Sequence, residues 1–512
     1  MRYEEPGYGA GEPARDAGAA DQGRGGTAPG GPGSGGPGSG GGEAVGREAG
    51  DPAPVGSAPI GPASVGSAPT GSAPAGPAPA GPAPAGPAPA GPAGPAGVGR
   101  RGFVAAAAGV AATLLTAGDA ALATAATVPG QGAPRAARPA LRGMWLATVT
   151  NRDWPSQPGL SASAQRTELL QHLDTAAERR LNAVVFQVRP TADALWPSPY
   201  EPWSQYLTGT QGKDPGWDPL GTAVREAHAR GLELHAWFNP YRVATHTDPG
   251  RLSPHHPARI HPDWVLPYGG KLYYNPGLPE VRRFVQDAML DAVERYDIDA
   301  VHWDDYFYPY PVAGEEFADE AAYRRYGADF PDRAAWRRDN TDRLVRETSE
   351  RIKKIRKSVR FGISPFGVWR NAATDPLGSD TRAGVQTYDD LHADTRGWVR
   401  KGWIDYIAPQ LYWNIGFAAA DYAELLRWWD ATVRGTGVDL YIGEALYKAG
   451  DPAQPAAWQD PAELSRHLTL AKKYPGVRGH CYFSAKEVAA DPIGAMSRVV
   501  TDHYGRRSAR PR

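Results

Sequence analysis

Two adjacent carboxylates, Asp304 and Asp305, close a short apolar run and open into an aromatic and proline cluster at residues 300–311. Trp303, Tyr306, Phe307, Tyr308 and Tyr310 ring them. Carboxylates supply the acid–base chemistry of glycosidic cleavage. Flat aromatic rings offer apolar faces for sugar rings, with polar tips for their hydroxyls. The same pair would also suit a helix cap beside a surface loop. Which reading holds depends on the elements that carry the pair.

From Leu141 onward, short β-branched or aromatic runs alternate with amphipathic stretches. Strands are expected at 141–149, 182–190, 232–242, 299–307, 360–370, 405–413, 439–447 and 478–484. Helices are expected at 161–180, 220–230, 279–296, 332–357, 390–401, 421–433, 461–474 and 491–503. This alternation predicts an α/β chain folded as a (β/α)8 TIM barrel. A doubly wound open sheet is the rival. It usually shows a glycine-rich turn after its first strand when it binds a dinucleotide, whereas here that strand runs into Thr148, Val149, Thr150 and Asn151.

In a barrel the active site lies at the carboxyl ends of the strands. Polar and aromatic residues recur at those ends: Asn151 and Asp153, Arg189 and Asp193, Asn239 and Tyr241, Asp304 and Asp305, Trp369 and Arg370. Gln410, Tyr412 and Trp413 follow the sixth strand, Glu444 and Tyr447 the seventh, and Tyr482 and Ser484 the eighth. The expected catalytic residues are Asp304, Asp305 and Glu444. The expected substrate contacts are Trp145, Arg189, Asp193, Asn239, Tyr241, Asn275, Trp303, Tyr306, Trp369, Gln410, Tyr412, Trp413 and Tyr482. Each has a plainer use. Asn239 could serve the Pro240 turn, Arg189 a buried ion pair, and Trp428 and Trp429 helix packing. His302 is expected to brace Asp304. His235, His255 and His256 are too scattered for a zinc set, so neither metal nor other cofactor is expected.

Composition divides the chain. Residues 1–98 are almost wholly Gly, Ala, Pro and Ser, with a Pro-Ala-Gly repeat at 67–97, and all 16 tryptophans lie from Trp145 onward. Such a tract cannot bury enough apolar area to offset its chain entropy, so disorder is expected. Residues 99–126 begin with Arg100 and Arg101, run through alanine-rich apolar sequence and end in small residues. That order is typical of a secretory signal of twin-arginine type. Asp119 and the weak hydrophobicity favour export with cleavage over an uncleaved membrane anchor. A signal so placed suggests translation from near Val98. Residues 127–140 read as a linker, 141–505 as the barrel and 506–512 as a disordered basic tail. The expected location is outside the cytoplasm, extracellular or at the cell wall, with the export machinery as a partner. One cysteine, Cys481, excludes an intrachain disulfide framework, and a net charge of −1 gives no sign of nucleic acid as a partner.

The blocks HAWFNPYR (235–242), YYNPGLPEVR (273–282), VHWDDYFYP (301–309), GISPFGVWRN (362–371) and APQLYWN (408–414) resemble the glycosyl-hydrolase-like family 10. That resemblance covers about residues 141–500. It implies a bacterial TIM barrel acting on glycan, in some members peptidoglycan strands that have lost their stem peptides, and it places the family's fourth-strand acids on Asp304 and Asp305. Ala300 and Trp303 stand where relatives often have Gly and Phe.

Two mechanisms are open. In the first, Asp304 orients the acetamido group of an N-acetylhexosamine, Asp305 is the general acid–base, and Gln410 and Tyr412 bind the acetamido group. Such substrate assistance is a recognised exception to the two-carboxylate scheme. In the second, one fourth-strand Asp works with Glu444, in retaining or inverting fashion. Strand alternation places Asp304 and Asp305 on opposite faces unless the strand has already ended. A catalytically silent glycan-binding barrel is the reading from another class.

Overall fold

Strands buried on both faces need cover on both sides, and this chain meets the need by closing its sheet on itself inside a shell of helices. The computed structural model describes residues 138–505. The expected low-complexity tract, signal segment and basic tail lie outside those residues, as does most of the linker. Eight parallel strands form a closed barrel: β1 (Leu141–Leu146), β2 (Ala183–Arg189), β3 (Glu233–Phe238), β4 (Ala300–Trp303), β5 (Arg360–Ile363), β6 (Tyr406–Ile407), β7 (Asp439–Glu444) and β8 (Val477–Tyr482). Each pairs with its neighbours in chain order, and β8 closes on β1. Every residue of β2 and of β3 is buried. The α/β barrel is thus the fold that the alternation predicts.

Helices stand where amphipathic runs meet capping residues. Ser161 accepts from the Ala164 amide at 3.2 Å to open Ala162–Glu178, and Asp332 accepts from the Ala335 amide at 2.7 Å to open Arg333–Ile355. The helix expected at 390–401 is shorter, Thr395–Lys401, because Asp394 caps it by accepting from the Gly397 amide at 2.9 Å. Among the described residues no helix is long and apolar enough to cross a membrane.

Several strands stop sooner than their apolar runs. β6 is two residues long and precedes Pro409, which has no amide hydrogen for a ladder. β3 ends at Phe238, and the chain turns through Asn239 and Pro240 into a separate three-stranded antiparallel sheet of Arg242–Ala244, Val265–Tyr268 and Lys271–Tyr274. The tight hairpin in it turns on Gly269 and Gly270, with φ of 53° and 71°, the left-handed pair that a two-residue turn needs.

The barrel interior holds a directed polar chain rather than aliphatic layers alone. The Trp145 indole N–H donates to His302 Nε2 at 3.2 Å. An indole nitrogen can only donate, so the His302 proton sits on Nδ1 and points at the Tyr406 hydroxyl, 2.9 Å away. Tyr406 in turn meets His235 Nδ1 at 3.1 Å, and His235 Nε2 meets Glu233 at 2.9 Å. Burial, and then the neighbouring His235, hold the His302 pKa well below its ordinary value. Gly362 makes room for this chain: a Cβ there would lie 2.1 Å from the Tyr406 ring. Gly362→Ala is therefore expected to overpack the barrel and destabilise the protein by about 1–3 kcal/mol or more, measured by urea denaturation.

Candidate active site

β4 ends at Trp303, which is driven into the core against Phe361 at a ring-centroid distance of 4.8 Å. Beyond that point strand alternation no longer governs, and Asp304 and Asp305 both line one cavity of about 710 Å3 at the carboxyl ends of the strands. Its walls are largely aromatic, with Trp145, Trp237, Tyr306, Phe366, Trp413 and Phe483 among them.

Asp304 is 4% exposed, and the Asn239 amide nitrogen sits 3.1 Å from each of its oxygens. The other end of Asn239 accepts from the Arg242 backbone amide at 2.9 Å. One side chain thus holds the turn and the acid together, joining the two uses its sequence position suggested. Burial raises the Asp304 pKa, while Arg242 and the hydrogen bonds from Asn239, the Trp237 indole and the Tyr306 amide oppose that rise. Asp305 is 6% exposed and accepts a hydrogen bond from the Tyr310 hydroxyl. Burial, followed by the adjacent Asp304 charge, pushes its pKa up to about 7. Like charges this close in a dry site favour a shared proton, so the two carboxyls titrate as a pair.

Trp145, Tyr306, Gln410, Tyr412 and Trp413 line the cavity with the acids. Gln410 donates to the Ser364 carbonyl at 2.9 Å and also lowers the Asp305 pKa. Other expected contacts are placed elsewhere. Arg189 forms a fully buried pair with Glu201, with Nε–Oε2 and Nη2–Oε1 distances of 2.6 and 2.5 Å, and donates to the Asn239 carbonyl. Asp193 is buried, accepts from the Thr191 amide at 3.2 Å, and is pushed to about 6 by that burial. Asn275 accepts from the Gly277 amide at 2.9 Å within a turn. Trp369 donates to Asp394 at 3.0 Å, the Tyr482 hydroxyl meets that of Tyr504 at 2.6 Å, and Tyr241 is wholly buried. His302 does not brace Asp304; it meets the Trp145 indole and, at 2.9 Å, the Ser364 hydroxyl.

Glu444 is the largest correction. It is fully buried and absent from the cavity wall. Tyr422 and His480 meet Oε1 at 2.8 and 2.9 Å, and His467 meets Oε2 at 2.8 Å. Burial alone would raise its pKa, but the charge and hydrogen bond of His467, with the His480 hydrogen bond, bring it below the ordinary value. Saturated with donors and away from the cleft, it is not placed to work beside Asp304 or Asp305.

The cavity also includes Gln187, Trp237, Arg242, Ser364, Lys448 and Phe483, none of which the sequence reading selected. Alternation held the signal for two of them: Gln187 and Trp237 each lie two residues before a selected residue, Arg189 and Asn239, on the same strand run. Among the described residues no group of His, Cys, Asp and Glu is arranged to hold a metal ion.

The sequence pattern of the family described as glycosyl hydrolase-like 10 matches residues 140–460. The chain belongs to that family. Glycosyl hydrolase YngK of Bacillus subtilis (strain 168) is 52% identical over 368 residues, which are 72% of this chain and 72% of that protein. Glycosyl hydrolase DigH of Escherichia coli (strain K12) is 42% identical over 363 residues, 67% of this chain and 82% of that protein. Among solved structures, the PgaB (BpsB) glycoside hydrolase domain from Bordetella bronchiseptica aligns with a TM-score of 0.46 at 13% identity, covering 70% of this chain and 98% of that one.

For this glycosyl hydrolase-like 10 protein the placement of Glu444 has a direct consequence. Glu444→Gln is expected to lower stability by about 3–5 kcal/mol, the usual cost of breaking a buried charged cluster. The folded fraction should keep its turnover within about threefold, less than half a pKa unit's worth of free energy. Thermal melting alongside turnover per folded molecule checks both.

Proposed function

We propose that this protein hydrolyses glycans containing N-acetylhexosamine, by a substrate-assisted mechanism on the Asp304–Asp305 pair. The observation that carries the reading is that both acids reach one aromatic-walled cavity while Glu444 does not. Family membership supports glycoside hydrolysis. The motif resemblance supports peptide-free peptidoglycan strands as the substrate, and the segment at 99–126 supports action outside the cytoplasm.

The proposed roles follow from the two environments. Asp305, with its pKa near 7, keeps its proton up to near neutral pH and gives it to the leaving glycosidic oxygen. Asp304, attended by Asn239 and the charge of Arg242, carries the negative charge and accepts the acetamido N–H. The acetamido oxygen then attacks the anomeric carbon, forming a cyclic oxazolinium as the glycosidic bond breaks. Asp305, now ionised, takes a proton from water, and that water opens the ring.

Asp304→Asn and Asp305→Asn are each expected to lower kcat on peptide-free glycan strands by about 10²–10⁴-fold. Product mass analysis reads this directly, and near-normal turnover in both would end the proposal. The proton on Asp305 is lost as pH rises through about 7, so kcat/KM should fall on the alkaline side near that value. The Tyr310 hydrogen bond favours the ionised form. Tyr310→Phe should therefore move the alkaline limb upward by about one pH unit.

A further inference from the structure

Aromatic side chains carry a large apolar surface, so rings left half open along a cleft offer that surface to a ligand. Trp145, Trp237 and Phe366 sink into the cavity wall. Tyr412, Tyr447 and Phe483 line the same cavity but are only half-buried. These three rings make a corner. Tyr412 and Phe483 have centroids 6.2 Å apart and planes inclined by 38°. Tyr447 stands nearly upright to both, at 5.9 and 6.0 Å and at 77° and 84°. The loops that carry them are tied together. The Tyr447 amide donates to the Phe483 carbonyl at 3.0 Å, and Lys448 Nζ donates to the Tyr412 carbonyl at 3.1 Å. The corner is therefore built before a ligand arrives, which lowers the ordering cost of binding.

The acids stand elsewhere on the rim. Asp304 and Asp305 follow β4, whereas the rings follow β6, β7 and β8, and β8 faces β4 across the closed ring of strands. The cavity that joins them is roomy. At about 30 Å3 per water-sized unit, its 710 Å3 admit about 24 non-hydrogen atoms, against about fifteen in one N-acetylhexosamine. Polar groups edge the corner. Arg152 lies over the Phe483 ring at 5.0 Å and meets both Glu487 oxygens at 3.2 Å, and both charged residues line the cavity. Flat ring faces beside a donor and an acceptor suit a pyranose, which has C–H faces and a rim of hydroxyls. A purely apolar ligand would cover that ion pair without replacing its water. We propose that Tyr412, Tyr447 and Phe483 hold a second sugar of the substrate chain, apart from the sugar at the acids, and so select oligomers over single sugars. This rests on the glycan reading of the cavity and deepens it, giving Tyr412 a stacking role rather than an acetamido contact.

The test is calorimetric binding to the full chain carrying Asp305→Asn, which suppresses turnover. N-acetylglucosamine and its β-1,4-linked dimer, trimer and tetramer serve as probes. Phe483→Leu and Tyr447→Leu each keep apolar volume and remove a flat face; Tyr447→Phe keeps the ring and removes the hydroxyl. Thermal melting establishes that each variant is folded, and either leucine variant suffices for the test. Affinity should climb at least about tenfold from the single sugar to an oligomer that reaches the corner. Each leucine variant should lose most of that climb while binding the single sugar within about threefold of the parent, and Tyr447→Phe should keep it. A climb that survives in the leucine variants overturns the proposal. So does an equal loss on the single sugar, which would put these rings around the sugar at the acids. Loss of the climb in Tyr447→Phe also overturns it, by assigning the effect to a hydroxyl. Failure of all four probes to bind counts against the glycan reading itself. A climb erased by the leucine variants in a protein that nonetheless hydrolyses no glycan keeps the second sugar position and sinks the enzyme.

Discussion

Two carboxyl groups on consecutive residues share one dry cleft, and most of the surrounding structure serves to make them differ. Burial works against charge on both. Arg242 and Asn239 attend Asp304, whereas Asp305 has the tyrosine hydroxyl and the charge of its neighbour. In the proposed mechanism this asymmetry gives Asp305 the proton to donate and Asp304 the negative charge. It extends outward to Arg189, whose buried pair with Glu201 grips the Asn239 carbonyl and so fixes the residue that holds Asp304.

Beneath the cleft, the barrel axis is ordered by hydrogen-bond direction. An indole that can only donate fixes the proton of His302 on Nδ1, and the chain runs on through Tyr406 and His235 to Glu233. Burial keeps His302 neutral, and the chain fixes the Trp145 ring that lines the cavity, where an aliphatic filling would leave it freer to rotate. The cost in sequence is Gly362, which cannot carry a side chain beside the Tyr406 ring.

The order of strands and helices was legible because each strand is a separate apolar run and each helix has its own face and cap. The fourth-strand acids were legible because residue type, neighbours and position agreed. What failed was the step from strand end to cavity wall. Arg189, Asp193, Tyr241 and Tyr482 sit at strand ends yet turn outward or downward into packing, and Glu444 into a nest of histidines. Sequence position gives height in a barrel; it does not give direction once the strand has ended or bulged, as β2 does between Gln187 and Arg189. The small sheet was missed for a different reason. Its strands are three or four residues long, too short for a period to register, although Gly269 and Gly270 marked its turn.

That small sheet bears on how the chemistry could change over time. Arg242, the cation acting on Asp304, is the first residue of its first strand and pairs there with Tyr273, outside the barrel. The electrostatic setting of the acid pair is therefore partly written in an appended module. Alterations in the 242–274 excursion could retune the working pH of the pair while every barrel strand, and the stability they carry, stayed as it is.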